Sequence, residues 1–178
     1  YYKNEVATNE VIDADGWFHT GDVGTFVEGK FLKITDRIKE IFKTSSGKYI
    51  APLMIENKIK ESRFVEQSMV IGEGEKHASA LIVPSFVNFK DYCKENNIEW
   101  TTNQEMSNHE ALKKIINDHI KNVNKDLAPF EQLKRCQILS TDWTIEGGEL
   151  TPKMSLKRKV IKEKNSQIIN KIFAIEEE

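Results

Sequence analysis

Cysteine is scarce: the 178 residues hold only Cys93 and Cys136. They form neither a CxxC pair nor a disulfide framework, so a zinc ribbon and a disulfide-stapled secreted scaffold are both excluded. The expectation is two buried or half-buried thiols in a reducing compartment. Four histidines, His19, His77, His109 and His119, build no HxxxH pair, and no Asp/Glu cluster joins them at ligand spacing, so no metal site is expected within the chain. A GxSxG nucleophile elbow is missing, and Ser45-Ser46-Gly47-Lys48 lacks the GxxxxGK[ST] spacing of a P-loop. No apolar run approaches the ~20 residues of a bilayer span, and Tyr1-Tyr2-Lys3-Asn4 does not read as a signal peptide. The chain starts mid-pattern without Met, which reads as a fragment of a longer protein. A charge of one sign is lacking too: 26 Lys+Arg stand against 28 Asp+Glu, a net of −2. Nucleic acid is therefore not an expected partner.

What is present suffices for a globular body of about one domain plus a piece of another. Val23 to Val27, a turn at Glu28-Gly29 and Phe31 to Ile34 read as a hairpin. Pro52 suits the first turn of a short helix whose Ile55 and Ile59 share a face, ending near Ser62. Val65, Met69 to Ile71 and Ala80 to Val83 have strand length and flank the turn chemistry of Gly72 to Lys76, predicting a second hairpin. Ser85 is expected to cap a helix carrying Phe86, Phe89, Tyr92 and Cys93, stopped at Asn96-Asn97. Asn108 is expected to cap a longer one with Leu112, Ile115, Ile116, His119, Ile120 and Val123 on one face. His119 is read there as a packed, hydrogen-bonded imidazole. Leu133 to Leu139 reads as a strand, Glu146 to Glu149 as a loop, and Val160 to Ile172 as a last helix. Without strict βαβ alternation, the fold class is α+β.

Three stretches carry chemistry. In Gly16-Trp17-Phe18-His19-Thr20-Gly21-Asp22, an ionised Asp22 on a turn before a strand is able to accept from two adjacent hydroxyls, as ribose recognition requires. Thr35 to Pro52 joins a charged cluster, Asp36-Arg37-Ile38-Lys39-Glu40, to a small-residue loop, the composition of a domain boundary with a hinge. Between Thr151 and Lys171 seven basic residues face one acidic, Glu163, a local charge of +6. Such a Gly-flanked basic loop suits a phosphate or carboxylate clamp. Each stretch alone also fits an ordinary turn or solvated charge run.

In this order the three stretches resemble the C-terminal part of adenylate-forming acyl-CoA ligases, most closely the long-chain fatty acid CoA ligases. Tyr1 to Thr8 is similar to the family's G-Y-x-x-x-x-E-x-T segment, and Trp17 to Asp22 to its W-x-x-T-G-D motif. Asp36 to Glu40 resembles the hinge in its Asp-Arg-x-Lys-Glu form, and Leu150-Thr151-Pro152 through Lys157-Arg158-Lys159 the closing lysine motif. The resemblance implies that residues 1–36 end a large adenylation domain and residues 37–178 form a small lid, a short antiparallel sheet flanked by helices, with the hinge near 36–39.

It also implies roles. Asp22 would hold the ribose hydroxyls of ATP, Arg37 would contact the nucleotide, and Lys39 with Asp36 would form the hinge. Lys157 would reach the reacting carboxylate during adenylation. The family's lysine usually follows a glycine, whereas Leu156 precedes Lys157, which leaves Lys153 and Arg158 as alternatives. Ser45, Ser46 and Gly47 would line the tunnel for the pantetheine arm of CoA. A lysine fits because joining a carboxylate to the α-phosphate brings two anions together as pyrophosphate leaves. Small residues fit a thin arm that side chains would block.

The implied partners are a long-chain fatty acid, ATP, CoA and the protein's own N-terminal domain, which would also supply the Mg²⁺ ligand. The fragment alone is expected to be inactive. The implied location is cytoplasmic, with peripheral association of the full-length protein at the inner face of a membrane. Competing readings are an adenylating ligase that loads an acyl carrier protein, and a non-enzymatic module whose basic segment binds nucleic acid or anionic lipid.

Overall fold

The computed structural model describes residues 1–174. The first 37 residues hold a short helix, α1 (Glu5–Asn9), and an antiparallel pair, β1 (Asp22–Val27) and β2 (Phe31–Arg37). Their turn takes φ of +54° at Glu28 and +66° at Gly29, the sign that a type I′ hairpin turn requires at both central positions. A two-stranded ribbon β3 (Phe42–Lys43) and β4 (Tyr49–Ile50) then leads into α2 (Pro52–Ile59), with Pro52 in its first turn as expected.

Next come β5 (Val65–Ile71), β6 (Ala78–Pro84), α3 (Phe86–Glu95), α4 (Asn103–Met106), α5 (Glu110–Lys125), β7 (Leu133–Ile138), α6 (Arg158–Lys164) and α7 (Ser166–Ala174). The main sheet has the order β5-β6-β7. β5 and β6 form the anticipated antiparallel hairpin, while β7 joins β6 in parallel after the long excursion through α3, α4 and α5. The α+β class holds. All of β6 is buried, because both faces of the sheet are covered and a central strand then reads as an unbroken apolar run.

Alternation along the strands sorts two cores. Val70, Ala78, Ala80 and Ile82 pack with Ile55 and Ile59 of α2, Phe89 and Cys93 of α3, and Leu112, Ile116 and Ile120 of α5. On the opposite face Met69, Ile71, Leu81 and Val83 meet Trp143, Leu150, Ile161 of α6 and Ile172 of α7. Each buried aliphatic side chain contributes about 1.5–3 kcal/mol of transfer free energy.

Some local expectations fail for identifiable reasons. The long helix is capped by His109, whose Nδ1 accepts from the Ala111 N–H at 3.2 Å, whereas Asn108 turns back to donate to Gln104 O at 3.0 Å and closes α4. Ser85 occupies the N-cap of α3 but spends its hydroxyl on Asn88 Nδ2, 3.1 Å away, and makes no cap bond. The last helix is two, broken at Asn165, whose side chain donates to Ile161 O at 2.9 Å. Helices α1 and α4 were not anticipated, being too short to show a period. Cys93 is buried and Cys136 half-buried, and burial pushes the Cys136 thiol up to about 12. His119 is packed as expected, its Nε2 2.9 Å from Ile59 O and 3.3 Å from Lys58 O at the C-terminal end of α2. No helix among the described residues is long and apolar enough to cross a membrane.

Candidate functional site

The register of the first hairpin sets Asp22 opposite Arg37. Gly21, at φ +77°, turns the chain into β1, and the Asp22 N–H donates to Thr20 Oγ1 at 3.1 Å. The Asp22 carboxylate then lies 3.2 Å from Arg37 Nε, while most of the Arg37 side chain stays in solvent. A carboxylate with lone pairs to spare and a guanidinium with free N–H groups thus share one exposed end of the ladder. That pairing suits a diol beside a phosphate.

Alternation sends the neighbouring Asp36 to the other side, where it is 1% exposed. Its carboxylate accepts from the Arg37 N–H at 2.6 Å and from the Leu53 N–H at 2.9 Å. Ala51, at the N-cap of α2, has no side chain able to cap, so Asp36 supplies the missing acceptor from outside the helix. Of the two expected hinge residues, Asp36 is therefore a buried anchor. Lys39 is exposed, on a turn closed by the Glu40 and Ile41 N–H groups on Arg37 O at 2.9 and 3.2 Å.

Ser45, Ser46 and Gly47 form the exposed tip between β3 and β4. Thr44 organises it: its N–H donates to Lys48 O at 2.9 Å, its O accepts from Gly47 at 2.9 Å, and its Oγ1 lies 3.0 Å from Ser46 Oγ. Gly47 sits at φ +80°, where a Cβ would strain the turn. The loop docks on the β5–β6 turn through Ser45 N–H to Glu75 O and Gly74 N–H to Lys43 O, both 2.9 Å.

The basic stretch forms a small closed turn. Leu150 and Leu156 pair across its base, Thr151 N–H donates to Ser155 O at 2.9 Å, and Met154 takes φ +61°. Lys153 projects at the exposed tip. Lys157 is exposed at the N-cap of α6, its N–H on Glu149 O at 2.7 Å. Glu149 is in turn held by Lys164 at 2.5 Å, a hydrogen bond that keeps its carboxyl below the ordinary range.

Arg158 is in a different position, with only 17% of its side chain exposed. Nη1 and Nη2 reach the two oxygens of Glu56 at 2.6 and 2.8 Å, and Nε reaches Glu40 at 2.8 Å. Glu56 is 2% exposed and also accepts from the Val70 N–H at 2.8 Å. Burial works against the Arg158 charge, but the hydrogen bonds and field of Glu56 and then Glu40 outweigh it and hold the guanidinium above its ordinary value. Glu56 was missed by sequence reasoning. Its signal was there: a charged residue next to Ile55 on the core-facing stripe of α2 needs a buried partner.

The structure thus joins Asp22 to Arg37, and the segment after Lys39 to the lysine turn through Glu40 and Arg158. No ion pair or hydrogen bond connects Asp22 with Lys157 among the described residues. Nor does any group of three or more His, Cys, Asp and Glu suited to a metal occur among them.

Residues 39–177 match the AMP-binding enzyme C-terminal domain family. The chain is 35% identical, over 98% of its length and 25% of the relative's, to "Long chain acyl-CoA synthetase 7, peroxisomal" of Arabidopsis thaliana. It is 37% identical, over 89% of its length and 23% of the relative's, to human "Long-chain-fatty-acid--CoA ligase 1". Among solved structures, the adenylation domain of a Mycobacterium chelonae carboxylate reductase superposes with a TM-score of 0.76 at 27% identity, covering 98% of this chain and 26% of that one. The Segniliparus rugosus counterpart, solved with AMP and a co-purified carboxylic acid, superposes equally at 26% identity, again over 98% of this chain and 26% of its own. The chain spans about a quarter of the length of these relatives.

Proposed function

Because this chain belongs to the AMP-binding enzyme C-terminal domain family, we propose that it is the lid and adjoining hairpin of an ATP-dependent long-chain fatty acid CoA ligase. The whole enzyme joins the fatty carboxylate to the α-phosphate of ATP with release of pyrophosphate, then passes the acyl group to the thiol of CoA. The observation that carries this reading is the placement of two exposed lysines, Lys153 and Lys157, on a hydrogen-bonded turn of a chain that matches the family over residues 39–177.

Within it, Asp22 accepts from the ribose hydroxyls and the free edge of Arg37 meets the nucleotide phosphates. The ammonium of Lys157 offsets charge that grows at the α-phosphate as pyrophosphate departs. Arg158 is not available for that task, since all three of its nitrogens already face carboxylates. After adenylation the lid turns about residues 36–39, Lys157 withdraws, and the Ser45-Ser46-Gly47 tip flanks the approach of the pantetheine thiol. Residues 1–36 belong to the large domain and 37–178 to the lid, and the apolar surface of the hairpin packs on the remainder of the large domain.

Half-reaction kinetics of the full-length enzyme test the assignment. Lys157→Ala should lower fatty-acid-dependent exchange of pyrophosphate into ATP about 10²–10³-fold and leave thioester formation from pre-made acyl-adenylate nearly intact. A larger loss from Lys153→Ala would move the role to the tip of the turn, and equal losses in both half-reactions would remove it from either lysine. A second reading has support from the carboxylate reductase structures, one of which joins an adenylation domain to a carrier domain. In it the acyl group goes to a carrier thiol instead. Supplying the enzyme with CoA or with a phosphopantetheinylated carrier protein separates the two.

A further inference from the structure

The ion triad of Glu40, Arg158 and Glu56 contains one carboxylate more than burial requires. Glu56 is enclosed and needs a cation; the two Nη groups of Arg158 and the Val70 N–H satisfy it completely. Glu40 is a separate matter, with 31% of its side chain exposed, so water would solvate it if it turned away. It instead takes the Nε of the same guanidinium at 2.8 Å. Only an arginine is able to do this, since its planar fork serves one carboxylate with two nitrogens and a second with the third. The positions of the partners matter. Glu40 follows Lys39 directly, on the lid side of the hinge segment, and Arg158 follows Lys157 directly, at the first residue of α6.

We infer that Glu40 and Arg158 are positioning residues that lock the lysine-bearing turn to the hinge, so that rotation about residues 36–39 carries Lys157 as part of a rigid arm. The inference rests on the lid function proposed above. Two further contacts hold the lysine-bearing turn itself. The Lys157 N–H is held on Glu149 O at 2.7 Å, and Glu149 is held by Lys164. Glu56, the other partner of Arg158, stands on α2. Glu40 is therefore fastened to α2 through Arg158, on the lid side of the hinge segment. Displacing an ammonium by about 1 Å at a developing charge suffices to cost up to 10²-fold in rate, so slack in this linkage falls on adenylation alone.

The full-length enzyme tests this with Glu40→Gln, which removes the charge but leaves the Glu56–Arg158 pair to hold the core. Expected are faster amide exchange in residues 149–158, unchanged exchange in β5 and β6, and an unchanged melting temperature. Acid-dependent pyrophosphate exchange should fall about 10-fold while thioester formation from acyl-adenylate stays within about 2-fold. Glu40→Asp, which keeps the carboxylate, should restore part of the loss. Unaltered amide exchange in residues 149–158 overturns the linkage, as does an equal fall in both half-reactions. Faster exchange in that segment, in an enzyme that lacks acid-dependent pyrophosphate exchange even as wild type, upholds the linkage and overturns the ligase reading instead.

Discussion

Residues 1–38 and residues 42–174 obey the same local rules and reach opposite outcomes. The first region has a well-formed hairpin, a capped turn of helix and a carboxylate–guanidinium pair, yet Asp36 is its only buried residue. Phe26 and Phe31 are 71% and 63% exposed, and Trp17, Phe18, Leu32 and Ile34 are exposed beside them. The second region buries apolar side chains on both faces of one sheet. Strand pairing needs only backbone hydrogen bonds and a turn, whereas burial needs a second layer, and two strands by themselves are marginal in water. The exposed apolar side chains lie on both faces of the ladder, Phe26, Leu32 and Ile34 on one and Val27 and Phe31 on the other. The expected nucleotide-contacting pair, Asp22 and Arg37, sits on that same ladder.

Substitutions should break the symmetry between the regions most sharply in the core. Phe89→Ala, at a fully buried position of α3, should cost about 3–5 kcal/mol in urea unfolding of the chain. Phe31→Ala on the open face of the hairpin should stay within about 0.5 kcal/mol. Similar values for both would mean that the hairpin is covered as well. Almost as large an effect is expected from Arg158→Ala, which strands the buried Glu56 and should cost about 3–5 kcal/mol by the same measurement. A loss below about 1 kcal/mol would show that the pair contributes little to the fold of residues 42–174.

The link between the regions is a smaller lever. Asp36→Ala removes the acceptor of the Leu53 N–H and should cost about 0.5–2 kcal/mol, with faster amide exchange in the first turn of α2. Protection there equal to wild type would show that the cap is dispensable. The smallest effect is set by pH. Glu149 is held below the ordinary 4.5, first by its hydrogen bond to Lys164. Because the folded value is the lower one, the stabilisation is complete above the unfolded-state value and disappears as pH falls through the folded one. Stability of the chain should therefore drop as pH falls below the ordinary 4.5, and Glu149→Gln should flatten that part of the profile. An identical slope in the variant would assign the drop to other carboxylates, such as Glu73, which Lys162 also holds low.

Much of residues 42–174 was legible residue by residue. The offsets of Phe89 and Cys93, and of Leu112, Ile116, Ile120 and Val123, placed the inward faces of α3 and α5 correctly, because a helix repeats its environment within a few residues. The turn at Glu28-Gly29 and the one at Gly72 to Lys76 were equally plain. The site was less so. Asp22 and Arg37 were named separately, and only the register of the ladder put them 3.2 Å apart. Asp36 read as a hinge residue, although its carboxylate caps a helix that starts 16 positions later. Arg158 was named only as an alternative to Lys157, and its bonds to Glu56 and Glu40 could not be read from its place in the chain.

Periodicity, turn chemistry and the order of three motifs were enough to determine the fold class, the main helices and the family, since each depends on neighbours along the chain. The parallel addition of β7 beside β6, the burial of Glu56 and the capture of Arg158 by residues 102 and 118 positions away were decided only in three dimensions. Those choices depend on which surfaces remain to be covered, and on which charges lose water together, once the sheet and helices have closed on one another.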